Sequence, residues 1–356
     1  FLADFAEGIM SNVKDIMQLM EDWAPSSLAE SWAHPGLQVG NPNQPVHKIL
    51  VALDMTELNI SYAIDHGVDM VISHHPFLFK PIHDIDLSTC KGRMIENLIR
   101  HRITSFAAHT NLDSAVQGVN DALAEKLGLQ ECKGFVPVMT YSSYKFTLYI
   151  TAAHAKLLKK KLDSLRGKDI ESYYVVDDAD DFTENIRVEF RVPGQLVKRV
   201  EDMISSLDKS AKYDVYKLVN HGYKETMGRI GKFPFPMSVE EALSYIKNKL
   251  EIPVLRYAGN RDRLVEKIAI LGGAGAEFAG VAKSMGADLY LTGDLKYHEA
   301  QDAAMNGLVI ADGGHFYTER VIIPYLAKRL RDEFKTRGWN VGVLEDVRAK
   351  DIFHCV

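Results

Sequence analysis

Short, almost wholly apolar runs punctuate this chain, and several are closed at once by polar clusters. Ile49-Leu50-Val51-Ala52-Leu53, Asp69-Met70-Val71-Ile72-Ser73 and Ile103-Thr104-Ser105-Phe106-Ala107-Ala108 are too short for buried helices and read as buried strands over 49–54, 69–73 and 103–108. Between them lie stretches of helical period, such as Val13, Ile16, Met17 and Met20. The alternation runs from Val13 to about Leu129 and resumes after about residue 238. There it gives helix 239–249, strand 267–271, helix 277–285, strand 287–292, helix 297–306, strand 308–312, helix 315–337 and strand 340–344. Such alternation predicts an α/β fold, here a split core domain over 10–132 and 229–356, with a mixed sheet flanked by helices.

The middle of the chain, 133–228, changes character. Strand 146–150, a basic helix at 155–165, strands 172–176 and 186–191, helix 195–207 and strand 213–218 follow in the order β-α-β-β-α-β. That order predicts an inserted ferredoxin-like α+β domain, placed in a loop, where insertion is tolerated. No other internal repeat and no low-complexity tract stands out.

Composition narrows the class. A chain of 356 residues exceeds what one core usually supports. Hydrophobic residues at 46% and charged residues at 25% fit globular domains. A net charge of -6 offers no general attraction to nucleic acid or anionic membrane. No apolar run approaches the roughly 18 residues that cross a bilayer. Residues 1–9 lack a signal-peptide pattern and read as a non-native or upstream prefix, with Met10 as the natural start. Cys90, Cys132 and Cys355 are odd in number and far apart, against a disulfide framework or a thiolate zinc site. A cytoplasmic location is expected.

The candidate chemistry sits where the strands end. His74 and His75 close the second strand and are stopped by Pro76; imidazole is the commonest side-chain metal ligand. The third strand runs into His109-Thr110-Asn111-Leu112-Asp113. Ala287-Asp288-Leu289-Tyr290-Leu291 precedes Thr292-Gly293-Asp294 and His298, and Gly307-Leu308-Val309-Ile310-Ala311 precedes Asp312-Gly313-Gly314-His315, with Glu319 four residues on. Residues four apart share a helix face. Strand ends of an open α/β sheet converge on one crevice, so His74, His75, Asp113, His315 and Glu319 are the candidate metal ligands. Asp54 and Asp294 read first as caps of the helices that follow them. His109 reads as holding the loop of Asp113, and His298 either as a residue supporting the ligands from behind or as a proton carrier. His34, His47, His66, His83, His101, His154, His221 and His354 have no such context. Lys156, Lys159, Lys160, Lys161, Arg166 and Lys168 read as a solvated helix face before an anion site. Gly272-Gly273-Ala274-Gly275 lacks the GxGxxG and Walker spacings and reads as a tight turn before a phosphate loop.

The strings SHHPFLF, AAHTNLDSAVQGVNDALAEKLGL, LTGDLKYHEAQDA and DGGHFYTER, with GLQVGNP and LDMTELNISYAIDHGVDMVI upstream, resemble in order and spacing the Nif-three-like family, the GTP cyclohydrolase I type 2 homologues. The resemblance implies that His74, His75, Asp113, His315 and Glu319 bind two divalent metals bridged by Glu319. It also implies that the middle insertion is similar to PII or CutA-type domains, and that the chain forms a homo-oligomer, a hexamer. Ala33-His34-Pro35 departs from the acidic or amide pair that many members carry before GLQVG.

Three imidazoles and two carboxylates favour Zn first, with Mn, Fe, Co or Ni as alternatives, over Ca or Mg. Such a pair, roughly 3.5–4 Å apart, lowers the pKa of a bound water to about 7 and makes hydrolysis the natural reaction class. His298 and Glu319 are the candidate catalytic residues and a small molecule the expected substrate. The resemblance implies opening of the guanine imidazole ring of GTP by a metal-bound hydroxide. Two alternatives remain: a metal-dependent phosphoester hydrolase, and a non-enzymatic regulatory protein whose inserted domain senses a ligand.

Overall fold

A computed structural model describes residues 10–163, 171–176 and 185–354. It divides into two compact units. One holds the described residues up to Val136 together with those from Thr226 onward, and the other is Pro137–Glu225.

The first unit contains two large sheets where one was expected. In the first sheet the order is Gly342–Glu345, Lys48–Ala52, Met70–Ser73, Thr104–Ala107 and Gly36–Val39. All neighbours are parallel except the last pair. Ile49, Val51, Met70 and Ile72 pack on one face, against helices Val13–Trp23 and Ile322–Arg337. Leu50 and Val71 pack on the other, against helices Glu57–Asp65 and Cys90–Arg100. Burial on both faces explains why these strands are continuous apolar runs rather than alternating ones.

In the second sheet the order is Arg256–Ala258, Val309–Asp312, Leu289–Gly293, Leu264–Ala274, Arg229–Ser238 and Gln130–Lys133. Of its four inner strands, 264–274, 289–293 and 309–312 are parallel, and 229–238 runs antiparallel to them. Each sheet takes one edge strand from the far half of the chain: Gly342–Glu345 joins the first and Gln130–Lys133 the second. The two halves therefore fold as one unit.

The two sheets also repeat one another, although no repeat was expected. Lys48 Nζ donates to the carbonyl of His66, and the Asp69 carboxylate accepts from the Lys48 amide. Lys267 Nζ donates to the carbonyl of Met285, and Asp288 accepts from the Lys267 amide. The separations, 18 and 21 residues, are the same in both.

The helix expected over 315–337 is broken. It runs as His315–Glu319 and then Ile322–Arg337. Pro324 has no N–H to offer the carbonyl of Arg320, four residues before it, and its ring crowds that carbonyl.

In the second unit, Val136–Thr151, Ala152–Asp163, Glu171–Val176, Asn185–Pro193, Val197–Leu207 and Lys212–Met227 follow in chain order. The four strands are ordered fourth, first, third, second across their sheet. Phe146, Leu148, Ile150, Val188, Phe190 and Val192 alternate onto one face and bury Leu158, Leu162, Val200 and Ile204 of the helices. The strands expected here grow at their ends, most of all the first and the last along the chain, while the helix expected over 195–207 starts at Val197. Arg166, Lys168 and Cys355 lie outside the described residues, as do residues 1–9 and the side chain of His221. Among the described residues no helix is long and apolar enough to cross a membrane.

Candidate metal centre

Every candidate donor stands just beyond the carboxyl end of a parallel strand. The amides of His74 and His75 prolong the ladder by donating to the carbonyls of Ala52 and Leu53. Ser73 Oγ then donates to the carbonyl of His75 at 2.8 Å and curls the chain, bringing the two rings to 5.0 Å. Asp113 sits on a wholly buried helix, Thr110–Ser114. Asn120 pins that helix to the other sheet, donating to the Asp113 carbonyl and accepting from the Gly272 amide, both at 3.0 Å.

His315 and Glu319 share one turn, which enters where only glycine fits. A Cβ on Gly293 would lie 2.8 Å from the His315 nitrogen, and one on Gly273, at φ +68, 2.2 Å from Glu319 Oε1. The amides of Gly272 and Gly273 are taken by Asn120 and Thr318. That segment is thus a support for Glu319, as a tight turn would be, with these amides turned away from any phosphate.

The five expected donors converge. Glu319 Oε2 lies 3.0 Å from His75 Nε2 and 3.1 Å from His315 Nε2, while Oε1 lies 3.6 Å from His74 Nε2. His74 Nε2 lies 3.7 Å from Asp113 Oδ1, and His75 Nε2 lies 3.2 Å from His315 Nε2. They form two groups that share Glu319: His75, His315 and Glu319, and His74, Asp113 and Glu319. Donors held about 2.0–2.1 Å from a tetrahedral ion stand roughly 3.3 Å apart, which is the spacing found here.

The outer nitrogens fix the tautomers. His74 Nδ1 donates to the carbonyl of Ala108 at 2.9 Å, His75 Nδ1 to Asp54 Oδ1 at 2.7 Å and His315 Nδ1 to Asp294 Oδ2 at 2.8 Å. Carbonyl and carboxylate oxygens only accept, so each neutral ring carries its hydrogen on Nδ1 and points a bare Nε2 inward. His74 Nε2, Asp113 Oδ1 and Glu319 Oε2 are consequently buried without a hydrogen-bond partner. Lone pair facing lone pair is repulsive, and a cation or a proton must lie between them. The donor set fits a divalent metal.

The electrostatics follow from the same geometry. Burial disfavours charge on His75 and on His315. The hydrogen bonds that a protonated ring would give Asp54 and Glu319 outweigh it at His75 and raise its pKa to about 10. Those to Glu319 and Asp294 raise His315 to about 9. Burial lifts the Asp113 carboxyl to about 7 against the pull of His74. Glu319, equally buried, is held well below the carboxylate range by His74, His315 and His75. Burial, helped by the neighbouring His74 and His75, drops His109 to about 3 and keeps it neutral.

Two expectations change. Asp54 and Asp294 are not helix caps; Thr56 caps the helix after Asp54, and both carboxylates instead orient imidazoles. Asp294 holds a left-handed φ of 54°, a strained conformation of the kind concentrated at functional sites. His298, expected to carry a proton, is not brought to the donors. It is exposed on helix Tyr297–Met305, whose one buried residue is Ala303, and its Nδ1 lies near Gln301. A closer companion is His109, whose ring lies 5.5 Å from that of His74 and 5.7 Å from that of His75. The shared 21-residue spacing of Asp54 to His75 and of Asp294 to His315 was the sequence signal for the orienting carboxylates. A groove of about 1440 Å³ opens from His75 and His315, lined by Asp54, Asp294, Arg256 and Arg348 among others.

Comparison with known proteins places these features in a family. A family model described as Duf34/NIF3 (NGG1p interacting factor 3) matches residues 11–350. A Halalkalibacterium halodurans protein named GTP cyclohydrolase 1 type 2 homolog is 33% identical over 368 residues, covering 97% of this chain and 99% of its own. A Bacillus subtilis protein of the same name is 32% identical, covering 93% and 95%. Among solved structures, a Bacillus cereus protein related to NIF3 superposes with a TM-score of 0.86 at 33% identity, over 98% of this chain and 100% of the other.

Proposed function

The chain belongs to the Duf34/NIF3 family, and from that premise we propose that it is a dinuclear, divalent-metal-dependent hydrolase acting on a nucleotide. His74, Asp113 and Glu319 would hold one ion and His75, His315 and Glu319 the other, with Glu319 common to both groups. The observation that carries this reading is the set of three imidazoles that give their Nδ1 hydrogens outward and aim bare Nε2 atoms at two buried carboxylates. Zn is the first candidate for this mixed nitrogen and oxygen set, ahead of Mn, Fe, Co and Ni. When bound, such a pair supplies Lewis acidity, lowering the pKa of water toward about 7.

The protein groups do the positioning. Asp54 and Asp294 fix the orientation of His75 and His315 and raise their basicity. His109 stays neutral beside the donors. His298 receives no role. Pockets for small ligands typically enclose about 300–1,000 Å³, so the adjoining groove has room for a nucleotide.

GTP is the first substrate to test, because relatives carry the name GTP cyclohydrolase 1 type 2 homolog. The reaction opens the guanine imidazole ring and releases formate. Protein loaded with each metal in turn is expected to release formate from GTP. Phosphate release from a nucleotide panel, without formate, would replace ring opening by phosphoester hydrolysis.

Residues 133–228 are an inserted ferredoxin-like domain of PII or CutA type, supported by the strand order of Pro137–Glu225. A cytoplasmic homo-oligomer, a hexamer, completes the proposal; light scattering tests it. The five donors all lie outside Pro137–Glu225, which also favours a second reading, a regulatory protein sensing a ligand through that domain. Deleting 133–228 separates the two. An enzyme core keeps metal and activity, whereas a sensor loses its ligand-induced rise in melting temperature.

A further inference from the structure

Two large aromatic side chains stand half exposed beside the donors and take no part in holding an ion. Trp32 is 52% exposed and Phe79 is 46% exposed. Their rings meet edge to face at 6.0 Å, and each also meets the ring of His109, at 5.4 and 6.2 Å. One imidazole thus separates this pair from His74 and His75.

The exposure is not slackness of the loops. Leu78 N donates to Gln38 Oε1 at 3.1 Å, and Gln38 Nε2 donates to the carbonyl of His34 at 2.9 Å, tying the two loops together. Glu30 N donates to Thr110 Oγ1 at 2.9 Å, fixing the Trp32 loop to the helix that carries Asp113. His109 is itself 9% exposed, and its Nδ1 has no hydrogen-bond partner. One of its ring nitrogens lies within 4.8 Å of donor atoms of His74 and His75. The adjoining groove is lined by five aspartates against Arg256, Arg348 and Lys350, so charge alone gives a polyphosphate no advantage there.

We propose that Trp32, Phe79 and His109 form a substrate subsite that holds a planar heteroaromatic ring against the donor cluster. Recognition is then of the ring, with a purine-like heterocycle as the substrate class and the phosphates secondary. The aromatic pair supplies stacking surface, and the buried His109 ring backs it on the side of the donors. This subsite rests on the hydrolase reading but is measured apart from it.

Trp32 is the most exposed tryptophan among the described residues, so its emission reports occupancy. Metal-loaded protein is titrated with guanosine, GTP and inorganic tripolyphosphate. Guanosine and GTP are expected to quench saturably with Kd values within a few fold of each other, and tripolyphosphate to leave emission unchanged. Phe79→Ala is expected to weaken guanosine binding about 10- to 100-fold at unchanged metal content. By equilibrium dialysis Trp32→Phe retains guanosine while Trp32→Ala loses it. Tripolyphosphate competing as well as GTP, or Phe79→Ala binding guanosine like the parent, overturns the subsite. So does failure of guanosine, adenosine and a pterin alike to bind. A change of oligomeric state in the variants with ring binding intact would reassign the pair to packing against a second copy. Ring binding without formate release keeps the subsite and removes GTP hydrolysis. Formate release with an unaltered KM in Phe79→Ala does the reverse.

Discussion

The two donor groups share Glu319 and differ in almost everything else. One is sealed: the His74 side chain is 1% exposed, Asp113 is buried, and His74 is steadied by a neutral backbone carbonyl. The other is open: His75 and His315 are 24% and 38% exposed, face a groove, and are steadied by carboxylates at Asp54 and Asp294. A sealed site exchanges its ligands slowly, whereas an open one leaves coordination positions for water and substrate. Under the proposed function, the sealed group would anchor and the open group would do the chemistry.

Glu319→Gln strikes both groups at once and is expected to have the largest effect. Its shape is kept, so circular dichroism should be unchanged while metal content by plasma mass spectrometry falls toward none. Next, His74→Ala is expected to cost roughly 3–5 kcal/mol, because it leaves the buried Asp113 carboxyl without its facing imidazole and takes from Glu319 one of its three. His75→Ala should cost clearly less in thermal melts. Equal losses would erase the distinction between sealed and open.

Acidity sharpens the comparison. In chelator-treated protein, His75 at about 10 and His315 at about 9 lie above their ordinary 6.5. The folded state then binds more protons, so this stabilisation is complete below about pH 6.5 and is lost as pH rises through 9 and 10. Metal must displace those protons, so its affinity rises over the same range. Melting temperature should therefore fall with pH without metal and hold or rise with it. The smallest effect is reserved for Asp54→Asn, which should loosen the open ion about 10- to 100-fold in a chelator competition and leave the sealed ion in place.

Much of this centre was legible because the chemistry sits at strand ends, and buried parallel strands announce themselves as apolar runs. His74 and His75 end one such run, and His315 with Glu319 shows the helical spacing of four. The orienting carboxylates were not legible in the same way. An aspartate between a strand and a helix is a good cap by residue type alone, and only the structure gives that task to Thr56 and frees Asp54 for His75. Edge strands Gln130–Lys133 and Arg256–Ala258 escaped notice because they are largely exposed and carry no apolar period. The duplication of the two sheets escaped because periodicity marks strands but not which strands pair. His298 lies outside the donor groups, on a helix 297–305 whose single buried position is Ala303.

Anomalous diffraction at the edge of the bound metal, from crystals grown without chelator, tests the central claim most directly. Two peaks per chain are predicted, one among His74, Asp113 and Glu319 and one among His75, His315 and Glu319. No peak at Glu319, or a single peak held without it, would contradict the account.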